Sequence, residues 1–173
     1  RHEVAPAARH EQIARHVARS NAEIVMTGHA GSTPAHPTCM RMLRAIKRRT
    51  PEVVTVYGGV YPTYHAASIL RDQPAVDIIV RGEGEATAVD LLQSIERLGR
   101  ISATILHSGD ASARLRDVLG IAFRSDGRPA LTPDRPPIRD LDRYRTGWEL
   151  IDDWDRHQCF ALGRAAIVQF SRG

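Results

Sequence analysis

Cysteine is scarce in this sequence. Cys39 and Cys159 stand far apart, and neither has a CxxC partner. That argues against a disulfide framework or a paired-thiol metal motif and fits a reducing, cytosolic compartment. Each reads as a small apolar side chain. Long apolar runs are also missing: no stretch of about 18 residues could span a bilayer, so no membrane span is expected. Residues 1–9 show no signal-peptide pattern. Aromatic residues make up 5% of the chain, too few to stack nucleic-acid bases in a cluster. Neither GxGxxG nor GxxxxGKS/T occurs, which disfavours ordinary dinucleotide and P-loop nucleotide sites. The chain does not begin with Met and reads as a segment of a longer protein.

What is present is the composition of a water-exposed globular domain. Of 173 residues, 42% are apolar and 25% charged. The net charge is +4 and the pI near 9.6. The densest basic cluster, Arg41, Arg44, Lys47, Arg48 and Arg49, has helical spacing and reads as a solvated helix face rather than a nucleic-acid site.

Strand-like and helix-like segments alternate. Residues 11–19 read as a helix with Ile13 and Val17 on one face. Residues 23–27 form a short β-rich run ended by Gly28. The spacing of His36, Met40, Leu43 and Ile46 predicts a helix over 35–49, stopped by Thr50-Pro51. A second strand is expected at 53–57, closed by Gly58-Gly59, with a short helix at about 64–71. A third strand, 76–80, ends at Arg81-Gly82, and a helix follows over about 85–98 with Ala88, Leu91, Leu92 and Ile95 on one face. Strands apolar on both faces, alternating with helices, imply a parallel α/β sheet of Rossmann-like or flavodoxin-like type. The first strand of such a fold is expected upstream of Arg1. Residues 99–119 read as an insertion, with 101–106 a possible strand and 108–110 a turn. Residues 120–124 and 129–132 read as a β-hairpin around Asp126-Gly127. An extended linker over 133–144 and a last strand at 165–170 complete the chain.

Ligands of open parallel sheets bind beyond the carboxyl ends of the strands. Three glycine-bearing loops fall there: 28–33 (GHAGST), 58–61 (GGVY) and 81–85 (RGEGE). Glycine allows close backbone approach, and a helix start offers free N–H groups. Together the loops suit a large ligand with a polar tail; Gly58-Gly59 taken alone is equally well a tight βα turn.

The order TGHAGST, VYGGVYPTYH, DIIVRGEGE resembles the cobalamin-binding domain that precedes a radical S-adenosylmethionine barrel. The stretch GIAFRSDGRPALTP with RPPIRDLDRY is similar to the bridge of those proteins, and IVQFSRG to their first barrel strand. The likeness spans about 23–173 and is weakest at 101–118. The runs GHAGSTPAHP and GGVYPTYH resemble the branch of the family that oxidatively closes a ring on a magnesium porphyrin. The implied organisation is a cobalamin-binding α/β domain over 1–119, hairpin and linker over 120–164, and the start of the barrel over 165–173.

The resemblance implies that the cofactor's nucleotide tail slides between the sheet and its helices. Thr27 or Ser32 would hydrogen-bond the tail, with Gly28 and Thr33 in the same loop. Gly58 and Gly59 would let the tail pass, and Gly82, Glu83, Gly84 and Glu85 would flank it. The corrin would rest near His29, Val60, Tyr61 and Thr63. The family's DxHxxG cobalt-binding motif is not found in this sequence. His29 would line the corrin face or hydrogen-bond a loop, with cobalt ligation as the alternative. His36 and His65 are assigned to packing or surface; Tyr61 and Tyr64 to pocket walls, or one of them to core. Glu83 and Glu85 suit stabilisation of a helix dipole better than acid–base work. The likeness further implies a [4Fe-4S] cluster and S-adenosylmethionine in the full-length protein, whose C-terminal barrel would be the partner and a porphyrin the substrate. The segment alone, without cluster cysteines, is expected to be inactive. A cobalamin-dependent radical methyltransferase, a flavodoxin-like flavin or nucleotide module, and a basic RNA-binding domain are the rival readings.

Overall fold

The computed structural model describes residues 6–29, 34–99, 101–106, 108–145, 147–151 and 154. The chain divides into two compact units, Arg1–Ile138 and Arg139–Gly173. The expected strand at 165–170 lies outside the described residues.

The first unit runs α1 (Pro6–Ser20), β1 (Ile24–His29), α2 (Ala35–Arg49), β2 (Val54–Gly59), α3 (Val60–Asp72), β3 (Ile78–Val80), α4 (Gly84–Glu96), α5 (Ala103–Leu106), α6 (Gly109–Leu115), β4 (Ile121–Ser125) and β5 (Arg128–Leu131). The strands form one sheet in that order. The first three are parallel, and the β4–β5 hairpin adds antiparallel to β3. The α/β expectation holds, and the hairpin is part of the sheet. Its two-residue turn places Asp126 at φ 51° and Gly127 at φ 72°, the left-handed pair that a type I′ turn demands.

Strand alternation sorts the core into two layers. Tyr57 and Ile79 join Leu43, Ile46 and Ile69 on the α1–α2–α3 side. Val54, Val56, Ile78 and Val80 join Leu91, Ile95, Leu106 and Leu115 on the other. Burial on both faces explains why the central strands read as unbroken apolar runs. α2 follows its expected bounds, with Met40, Leu43 and Ile46 buried. In α1 the inward face is His10, Ala14 and Val17, while Ile13 is exposed. In α4 Thr87, Leu91 and Ile95 turn inward and Leu92 faces out.

Residues 101–106 hold no strand. Ile101, Leu106, Ala111 and Leu115 are buried around two short helices, α5 and α6. The expected turn at 108–110 starts α6, with Ser108 as its N-cap.

The basic face of α2 is not uniformly solvated. Lys47 Nζ turns inward to Asp77 at 2.6 Å and donates to the Val53 carbonyl at 2.7 Å. The same Asp77 oxygen accepts the Thr55 N–H and hydroxyl at 2.7 and 2.9 Å. Arg48 and Arg49 both pair with Glu11 of α1.

The segment expected as a linker is extended but tied down as far as Ile138. Gly120 N–H donates to the Pro133 carbonyl, Arg81 pairs with Asp134, and Arg135 donates to Thr87. In the second unit, short 3-10 turns cover Leu141–Arg143 and Trp148–Leu150. There Arg145 pairs with Glu149, and Trp148 stacks obliquely on Trp154 at 5.8 Å.

Candidate functional site

Parallel register carries the three glycine-bearing strand ends to one edge. Gly28 lies beside Gly58, His29 beside Gly59, and Gly58 beside Val80. β1 and β2 each extend two residues further than the apolar runs suggest, so Gly28, His29, Gly58 and Gly59 belong to strands rather than loops. α3 then starts at Val60 with no intervening loop. Strand pairing through backbone groups needs no side chain, which is why glycines continue the ladder here.

A cleft of about 410 Å³ opens between this edge of the sheet and α4. Thr27, Gly28, Gly58, Gly59, Gly84 and Glu85, all expected at the site, border it. Met26, Val56, Val80 and Ala88 complete the walls and were not singled out from the sequence. Their signal was available: Met26 and Val56 stand two residues before Gly28 and Gly58 on the same strand faces. Ala88 lies one helical turn beyond Gly84.

The glycines differ in what they require. Gly59 has φ 115°, and a Cβ there would lie 2.3 Å from the His29 carbonyl oxygen. The protein's own backbone demands that glycine. A Cβ on Gly28 would meet the Gly58 carbonyl oxygen at 3.1 Å. Gly58 is different: a Cβ would find only ordinary contact with Val80, at 3.7 Å, and would project into the cleft. Gly84 is similar, with Val80 at 3.6 Å. At these two positions the surrounding protein leaves room for a side chain, which would narrow the cleft.

Other expected residues lie elsewhere. Thr27 borders the cleft, but alternation turns its side chain to the α2 side, the side that Tyr57 faces in the neighbouring strand. His29 faces the same side, its Nε2 2.8 Å from the Tyr57 hydroxyl. Val60 is exposed at the start of α3, and Tyr64, expected as a wall, is 81% exposed. Tyr61 stacks between His36 and His65, at 4.6 and 4.3 Å between ring centroids. Gly82, at φ 68°, donates its N–H to Thr63 Oγ1. Glu83 is the N-cap of α4, but its carboxylate accepts the Ile138 N–H instead of capping the helix. Glu85 sits in the first turn of α4, as a dipole-stabilising carboxylate should. Ser32 and Thr33 lie outside the described residues.

On the α2–α3 side an array of rings runs from the core to the surface. Tyr57 is fully buried, and its hydroxyl sits between His29 Nε2 and His36 Nδ1, at 2.8 and 3.2 Å. Burial, then the neighbouring Cys39 and Tyr61, push the Tyr57 phenol well above its usual range. Burial, reinforced by His29, His65 and Arg44, pulls the His36 imidazole down. Burial raises the Cys39 thiol above its ordinary range. No cluster of three or more metal-ligating side chains occurs among the described residues. No helix among them is long and apolar enough to cross a membrane.

The family model described as "B12 binding domain" matches residues 2–92. The anaerobic magnesium-protoporphyrin IX monomethyl ester cyclase of Synechocystis sp. is 40% identical, over 94% of this chain and 30% of its own length. The cyclase of the same name from Rubrivivax gelatinosus is 33% identical, over 94% of this chain and 27% of its own. The hopanoid C-3 methylase of Methylococcus capsulatus is 27% identical, over 79% and 23%. The chain thus spans under a third of the length of these relatives.

Proposed function

Starting from the fact that the chain belongs to the B12-binding domain family, we propose that the cleft between the sheet edge and α4 receives the nucleotide tail of cobalamin. The corrin ring would then rest over the rim formed by the strand ends and the start of α3. One observation carries this reading: Gly58 lacks a side chain that the surrounding protein could accommodate, and the space so kept is the cleft. Gly58 and Gly84 would let the tail approach the backbone, Met26, Val56, Val80 and Ala88 would supply apolar walls, and Glu85 a polar group. Bound cobalamin carries the reactivity, while the protein supplies binding and orientation.

We further propose that the chain serves an anaerobic magnesium-protoporphyrin IX monomethyl ester cyclase. Its partner would be a radical S-adenosylmethionine barrel with a [4Fe-4S] cluster, and its substrate a porphyrin. Support comes from the cyclase relatives at 40% and 33% identity, together with the motif likeness over 28–37 and 58–65. A methyltransferase setting is the second reading, favoured by the 27% identity to the hopanoid methylase. Both use the same cobalamin cleft.

The test is retention of colour. The purified chain, mixed with hydroxocobalamin and desalted, should keep a corrinoid visible spectrum, whereas FMN should pass through. Gly58→Leu should lose the colour with an unchanged far-UV circular dichroism spectrum. Equal retention by Gly58→Leu and the parent would refute this placement of the tail. Gly59→Leu is the poorer test, because its side chain would collide with β1 and disturb the fold itself.

A further inference from the structure

Thr63 stands in the first turn of α3 and borders no part of the cleft wall, yet it joins the end of β2 to the loop before α4, the two segments that flank the cleft. Its hydroxyl donates to the Gly59 carbonyl oxygen at 2.8 Å and accepts the Gly82 N–H at 2.9 Å. Gly59 lies on one side of the opening; Gly82 lies two residues before Gly84 on the other.

The surroundings make this link consequential. The loop over 81–83 is held from the hairpin side by Arg81, whose N–H donates to the Gly120 carbonyl at 2.8 Å and whose side chain reaches Ile121, Thr132 and Asp134. Gly82 itself has φ 68°, and a Cβ there would meet nothing within 4 Å. Side-chain packing therefore does not locate this glycine from the cleft side; the hydrogen bond to Thr63 does. Gly59 has a fixed, glycine-only conformation against β1, so Thr63 ties the 81–83 loop to the rigid end of β2.

We propose that Thr63 is a positioning residue that sets the separation between the Gly59 end of β2 and the Gly82 loop, and through it the width of the slot offered to a corrinoid's nucleotide tail. This rests on the reading of the cleft given above. The hydroxyl spends its one proton on Gly59 and accepts from Gly82, so it acts on the slot's shape rather than as a ligand-binding group. A threonine serves where valine would not, although the two have nearly the same shape.

The experiment is a spectral titration of the full chain with hydroxocobalamin, comparing the parent with Thr63→Val and Thr63→Ser. Losing both neutral hydrogen bonds should raise Kd by about tenfold in Thr63→Val. Thr63→Ser, which keeps the hydroxyl, should stay within about twofold of the parent. Should Thr63→Val not fold, Thr63→Ala carries the same expectation. A Thr63→Val chain that binds like the parent overturns the role of Thr63 alone. So does a Thr63→Ser chain as weak as Thr63→Val, because serine keeps the hydroxyl on which the link depends. A parent that binds no hydroxocobalamin overturns the reading of the cleft itself.

Discussion

Two charged side chains show how much a single residue can carry. Lys47 and Asp77 lie at the opposite end of the strands from the cleft, mostly buried, with side-chain exposures of 15% and 3%. Asp77 also holds the backbone and hydroxyl of Thr55 on β2. Such a pair adds little net stability against an apolar replacement, but removing one partner leaves a buried charge without compensation. Asp77→Asn should therefore destabilise the domain by about 3 kcal/mol, read as a fall in the urea midpoint. Unchanged unfolding would mean that water reaches Lys47. Sequence could not reveal this pair. Lys47 sits among four arginines at helical spacing, and only the docking of α2 on the sheet turns it inward while Arg48 and Arg49 meet Glu11.

At the scale of elements, the ring array joins β1, β2, α2 and α3. His36 on α2 has its imidazole pulled down by burial first, then by His29, His65 and Arg44. A folded value below the unfolded one means that the unfolded chain takes up the proton first as pH falls. The contribution is thus intact above about pH 6.5, the ordinary histidine value. It declines as pH drops through that value and levels off below the folded one. Urea midpoints should fall between pH 7.5 and 5.5, and fall less in His36→Gln. Identical slopes for the two proteins would show that His36 does not drive the dependence. α1, α2 and α4 were legible from apolar spacing and the hairpin from Asp126-Gly127, whereas α5 and α6 were not. The ends of β1 and β2 were not, because glycine marks a turn in sequence while the backbone ladder continues through it.

Across the whole molecule, a ligand that binds only the folded chain must raise its stability by mass action. At free hydroxocobalamin one hundred times Kd, the gain is about 2.7 kcal/mol. The unfolding midpoint should therefore climb with corrinoid concentration. A midpoint independent of concentration would contradict specific binding to the native sheet. The β4–β5 hairpin bears on the same stability, since it covers the far edge of β3, and the segment to Ile138 is anchored through Arg81, Arg135 and Glu83. The chain bordering the cleft therefore rests on segments well beyond the parallel strands.

The sequence by itself determined the alternation of strand and helix, the parallel α/β class and the glycine-bearing strand ends, because these follow from local periodicity and backbone freedom. It also held most of the cleft's residues. Only the tertiary structure decided which glycine serves the fold and which the cleft, since Gly58 and Gly59 differ in what lies opposite them and not in kind. It likewise turned His29 toward Tyr57, gave Glu83 to Ile138 and joined Gly59 to Gly82 through Thr63. Each depends on which face of a strand meets which helix, a relation between residues far apart in the chain that no local pattern encodes.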